Sequence, residues 1–149
     1  MTLLLHTADW QIGRTYGRFD ADDAAALAEA RLATVEQLAR RAAERQADAV
    51  LVAGDVFDAQ AVSPRTIRRL FHALAPFDGP WVVIPGNHDA ALGEGVWREA
   101  LRLGVMPPSV HLVLSPQVVE LPALQLAVLA APLTQRHTHD DTTAWFDAA

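Results

Sequence analysis

The sequence contains no cysteine and no lysine. Without cysteine there is no disulfide framework, no thiol nucleophile and no cysteine-type zinc site. That composition suits a reducing cytoplasm, which is the expected location. All 12 basic residues are arginine, a bias read as codon usage rather than as a binding surface. Long hydrophobic runs are also missing. The most apolar later stretch, residues 121–133, holds Pro122, Gln125 and Pro132 and is too short to span a bilayer. The opening residues, MTLLLHTADW, carry no basic start and soon meet Asp9, which argues against a secretory signal. A net charge of −6 argues against a generally basic nucleic-acid clamp. Local arginine clusters stay compatible with it, and an acidic metal site would itself add negative charge.

What is present fits one globular domain. A length of 149 residues is enough for a real core, and 51% hydrophobic with 20% charged residues is ordinary for that class. The organising stretch is AVLVAGDVFD, residues 49–58. Its apolar run from Ala49 to Ala53 breaks at Gly54 and delivers Asp55, with Asp58 three residues on. Such a run bounded by glycine reads as a buried strand. Ligands in open α/β sheets gather beyond the carboxyl ends of strands. The same grammar occurs where residues 3–8 run into Asp9-Trp10-Gln11, and where residues 81–85 run into Gly86-Asn87-His88-Asp89. Three apolar strands thus each end in oxygen or nitrogen donors competent to bind a metal.

Between these strands the pattern becomes helical. Asp20, Asp22 and Asp23 suit the start of a long helix reaching about Gln46, with Leu27, Ala30, Val35, Leu38 and Ala42 on its apolar face. Ser63-Pro64 opens a second helix whose Ile67, Leu70, Phe71 and Leu74 share one face. A shorter helix is expected from Glu94 to Leu103, closed by Gly104. Alternating strands and helices predict a parallel sheet with right-handed crossovers. Beyond Pro107-Pro108, residues 110–114, 117–121 and 125–130 read as short strands that extend the sheet or form a hairpin at its edge. Asp140-Asp141 reads as the cap of a last helix containing Trp145 and Phe146.

Taken in order, D-W-Q, G-D-V-F-D and G-N-H-D resemble the calcineurin-like metallophosphoesterases. His6–Trp10 together with Gly54–Asp58 looks most like the SbcD-type DNA repair exonucleases of that superfamily. The resemblance implies an α/β fold, a layered sandwich with a largely parallel sheet flanked by helices. It identifies residues 1–149 as the N-terminal portion of a metallophosphoesterase domain, so the chain is expected to be a fragment or truncated product. The implied activity is metal-dependent hydrolysis of DNA phosphodiesters, with Mn²⁺ the suitable ion for mixed oxygen and nitrogen ligands.

By the same resemblance, Asp55 bridges two metal ions, Asp9 belongs to the first and Asn87 offers its amide oxygen to the second. His88 would sit beside the scissile phosphate and protonate or stabilise the leaving oxygen. Asp58 matches the position that orients this histidine, with a loop cap as the plainer reading. Gln11 stands where the family carries a histidine, so the first metal should bind less tightly or through water. The family's later histidines are not matched. His137-Thr138-His139 has no preceding glycine and reads as a polar loop before a helix. Asp89 reads as a capping residue, His6 as structural and Trp10 as packing. Arg14 and Arg18 default to a solvated loop, with phosphate contact the alternative.

Implied partners are DNA and an SbcC-type ATPase. Sheet surface that the missing half would cover is expected to be buried in a homo-oligomer. Two other functions stay open from sequence: a phosphodiesterase for cyclic nucleotides or small phosphoesters, and a catalytically inactive binding or scaffold subunit.

Overall fold

The computed structural model describes residues 2–149. Four strands form a parallel sheet in the order they occur: β1 (Leu4–Thr7), β2 (Ala49–Ala53), β3 (Trp81–Ile84) and β4 (Val110–Leu112). Leu5 pairs with Val50, Val50 with Trp81, and Trp81 with Val110, so one row of side chains crosses the sheet. The connecting helices are α1 (Ala21–Glu44), α2 (Pro64–Ala73) and α3 (Val96–Leu103). Each crossover steps the same way along the sheet, and crossovers of one hand then place all three helices on one face.

That face carries the main core. Val50, Val52, Trp81 and Val83 pack with Val35 and Ala39 of α1, Ile67 and Leu70 of α2, and Trp97 of α3. The intervening residues Ala49, Leu51, Val82 and Ile84 point to the opposite face, against an antiparallel hairpin of β5 (Gln117–Leu121) and β6 (Leu126–Ala130). Both faces of β2 and β3 are therefore covered, which is why these strands read as unbroken apolar runs. The fold is an α/β sandwich, helices on one side and the hairpin on the other. At the edge, Leu4 and His6 of β1 stay exposed.

The helix signals act as anticipated at α1 and α2. The Asp20 side chain accepts from the Asp23 N–H at 2.9 Å, and Ser63 caps the Thr66 N–H at 3.2 Å ahead of Pro64. Elsewhere the boundaries differ. α3 begins at Val96 rather than Glu94, after the glycines at 93 and 95, which hold no helical conformation cheaply. It closes as expected on Gly104, in the left-handed conformation at φ 61°.

The three later strands divide between the two alternatives: residues 110–112 extend the sheet, while β5 and β6 form a separate hairpin. β6 starts one residue late because Gln125, at φ 51°, ends a short 3₁₀ turn over Pro122–Leu124. The last helix is also a 3₁₀ turn, Ala144–Ala148, rather than an α-helix. Its cap is Asp141, whose Oδ1 accepts from the Thr143 N–H at 2.8 Å and hydroxyl at 2.6 Å. The bonds that follow close three residues apart, as from Phe146 N–H to Thr143 O at 2.9 Å, a pattern that sustains only short runs.

Candidate active site

The exits of β1, β2 and β3 stay in contact past the end of the sheet. The Asp9 N–H donates to Gly54 O at 3.1 Å, the Gln11 N–H to Asp55 O at 2.8 Å, and the Ile12 N–H to Val56 O at 2.8 Å. The Asp58 N–H returns a bond to Ile12 O at 3.0 Å. β2 and β3 meet through glycines. A Cβ on Gly54 (φ 90°) would lie 2.8 Å from Gly86 Cα, and one on Gly86 would collide with the Asp55 carboxylate. Only residues without side chains let these backbones approach so closely.

Of the five non-glycine residues with positive φ among the described residues, three stand here: Asp9 at 56°, Gln11 at 47° and Asp55 at 51°. Such conformations cost roughly 1–3 kcal/mol each and concentrate at functional sites. Asp55 is buried, and its Oδ1 accepts the His88 N–H at 3.0 Å, while Asp9 and Asn87 are exposed. Asp9, Asp55, Asn87 and His88 thus lie on adjoining strand exits rather than on opposite edges of the sheet.

His88 is held chiefly through backbone. Its Nδ1 lies 2.9 Å from the carbonyl oxygen of Asp58 and 3.8 Å from that residue's carboxylate. The carbonyl contact is the true hydrogen bond, since the longer distance exceeds bonding range. A carbonyl only accepts, so Nδ1 carries the proton and Nε2 is left for other partners. Asp58 orients the imidazole mainly by its main chain, not by the side chain that the sequence resemblance pointed to. Gln11 faces Arg14, whose Nη1 donates to Gln11 Oε1 at 2.6 Å and lies 3.9 Å from Asp58 Oδ1.

Three further residues build the scaffold without a clear signal in the sequence. Asp89 is fully buried and accepts from the N–H of Gly86 at 2.7 Å and of Phe57 at 3.1 Å, joining the two acidic loops. Burial pushes its carboxyl above the usual range; the amides of Gly86, Phe57 and Val56 oppose this, and the nearby Asp55 charge reinforces it. Gln60 donates to Ala90 O at 3.0 Å. Arg31, from α1, donates to Trp10 O at 3.0 Å and to the Tyr16 hydroxyl at 2.7 Å, fixing the loop after Asp9. Trp10 is itself buried and packs edge-on against Trp81, with ring centroids 6.1 Å apart.

His137-Thr138-His139 is irregular, as a loop should be, but it is not remote from the site. Leu133 N–H donates to Pro85 O at 3.2 Å and Leu133 O accepts from Ala91 N–H at 2.8 Å, laying this segment beside Asn87. Asn87, Arg136, His137 and His139 line one cleft of about 420 Å³. Among the described residues, no three His, Asp or Glu side chains gather closely enough to hold a metal ion by themselves.

A two-layer α/β unit with carboxylates and a histidine at adjoining strand exits defines a hydrolase-like phosphoesterase architecture. The chain belongs to the calcineurin-like phosphoesterase family, whose sequence pattern matches residues 2–125. It is 41% identical over 105 residues to the SbcD component of the SbcCD nuclease of Rhodobacter capsulatus, an overlap covering 64% of this chain and 24% of that protein. It is 36% identical over 93 residues to the corresponding SbcD component of Bacillus subtilis, covering 58% of this chain and 22% of that one. The matches therefore span about a quarter of the length of these relatives. No described helix is long and apolar enough to cross a membrane.

Proposed function

We propose that this chain carries part of the catalytic site of a DNA nuclease similar to the SbcD component of SbcCD, hydrolysing phosphodiester bonds with the aid of Mn²⁺. The observation that supports this reading most is the joining of the three strand exits, with Asp55 Oδ1 accepting from the His88 N–H at 3.0 Å. The donor set fits a hard cation: the carboxylates of Asp9 and Asp55 and the amide oxygen of Asn87, beside a glycine at 86 that leaves no room for a Cβ. When bound, such an ion supplies positive charge against the phosphate and a more acidic water.

The chain's own residues do the rest. Asp55, buried and anchored, presents fixed negative charge at the centre of the site. His88, with Nδ1 pinned to a carbonyl, turns Nε2 towards the leaving oxygen, which it stabilises or protonates. Asp58 acts as its positioning residue.

The same reading includes DNA as substrate, a cytoplasmic location and an SbcC-type ATPase as partner, in keeping with the names of the two relatives. It includes a homo-oligomer covering the exposed Leu3 and Leu4 beside β1. A monomer at high concentration by light scattering removes that last element. The test of the activity offers the protein linear duplex DNA and a cyclic nucleotide in separate reactions with Mn²⁺. Mn²⁺-dependent release of nucleotides from DNA is expected; turnover of the cyclic nucleotide alone would overturn the DNA assignment.

A further inference from the structure

We propose that Arg14 stands in the place of a second cation, so that the site takes one divalent ion, near Asp55 and Asn87. The guanidinium, fixed between Gln11 and Asp58, then supplies the remaining positive charge towards a substrate phosphate. This rests on the metal-assisted reading above and specifies the number of ions and one phosphate-binding residue.

The local backbone sets the arrangement. Gln11 is held in the left-handed region at φ 47°, with its N–H on Asp55 O at 2.8 Å. Gly13 follows at φ 89°, and the turn closes with the Arg14 N–H on Gln11 O at 3.3 Å. This turn folds Arg14 back over Gln11. Nη1 of Arg14 then lies 2.6 Å from Gln11 Oε1 and 3.9 Å from Asp58 Oδ1.

The side-chain oxygen is the only atom by which an amide such as Gln11 ligates a hard cation, since its nitrogen donates. Here that oxygen already serves a permanent positive charge. A divalent ion on the same oxygen would sit against the guanidinium, and like charges at that distance repel strongly in a partly dry site. Asp55 Oδ1 differs: its hydrogen-bond partner among the described residues is the neutral His88 N–H.

Arg14 is also placed to act on substrate. Its contacts with Gln11 and Asp58 run through Nη1, and its side chain is 46% exposed. The rest of the guanidinium fork therefore opens to solvent, in the geometry that suits two oxygens of one phosphate. Asp58 lies between it and His88, whose Nδ1 is 3.8 Å from the same Asp58 Oδ1. The two cationic or proton-bearing groups thus flank one carboxylate.

The test counts Mn²⁺ bound to the full chain by titration calorimetry, with electron paramagnetic resonance of free Mn²⁺ as an independent count. Wild type should bind one equivalent. The double variant Gln11→His/Arg14→Ala should bind two, the second at least roughly tenfold tighter than any second ion in wild type. Arg14→Lys, which keeps the charge on an exposed residue, should stay at one. Two equivalents of similar affinity in wild type, or one in the double variant with native circular dichroism, would overturn the inference while leaving metal-assisted hydrolysis intact. No uptake by either protein would overturn the reading on which it rests.

Discussion

The Oδ1 atom of Asp55 accepts the backbone N–H of His88 at 3.0 Å, and this bond ties the exit of the second strand to the loop after the third. A carboxylate has capacity for several donors, so the bond orients Asp55 without exhausting it. Asp55→Asn keeps an oxygen for the His88 amide and removes a buried charge that bears on Asp89. The variant should fold with stability within about 1 kcal/mol of wild type. Its Asp89 carboxyl should titrate closer to the ordinary aspartate range, as read by carbon NMR.

Asp89 is the structural clamp of the site. Asp89→Ala strands the amides of Gly86 and Phe57, buried groups whose loss of a partner costs roughly 1–3 kcal/mol each. Urea denaturation should show a loss of about 2–4 kcal/mol. The pH dependence has a definite sign. Because burial raises the native pKa, the folded state holds this proton more tightly than the unfolded chain does. The resulting stabilisation is full below the ordinary aspartate pKa and is lost as pH rises through the raised native value. Asp89→Asn should flatten that slope.

The hold on His88 separates two substitutions that otherwise look equivalent. Since Nδ1 bonds to the main-chain oxygen of Asp58 at 2.9 Å, Asp58→Asn leaves the imidazole in place. His88→Ala should lower the rate of hydrolysis by about 10²–10⁴-fold, the usual contribution of general acid–base catalysis. Asp58→Asn should lower it by less than about tenfold, with the pH profile keeping its shape. Equal losses would place the weight on the Asp58 carboxylate instead.

The strand exits can be read from sequence because burial on both faces leaves a continuous apolar run, and the first polar residue after it marks the sheet's edge. Asp9, Asp55 and Asn87 are visible for that reason, as are the caps at Asp20 and Ser63. Asp89 looks like any turn aspartate, because its burial depends on Phe57, 32 residues earlier, reaching the same carboxylate. Arg31 is hidden on a helix whose arginines otherwise face water, its partner Trp10 lying 21 residues away. The hairpin's place across the sheet is likewise undecided in sequence, since alternation in Val119 and Leu121 gives a face but not its partner. Nothing local tells that residues 137–139 lie beside Asn87, because two backbone bonds from Leu133 set that approach.

The central claim, a cation held among the strand exits, is tested most directly by anomalous scattering at the manganese edge from crystals equilibrated with Mn²⁺. A peak within ligand distance, about 2.0–2.5 Å, of oxygens from Asp55 and from Asp9 or Asn87 is the predicted result. A well-occupied peak elsewhere on the chain, with none among these strand exits, would contradict it.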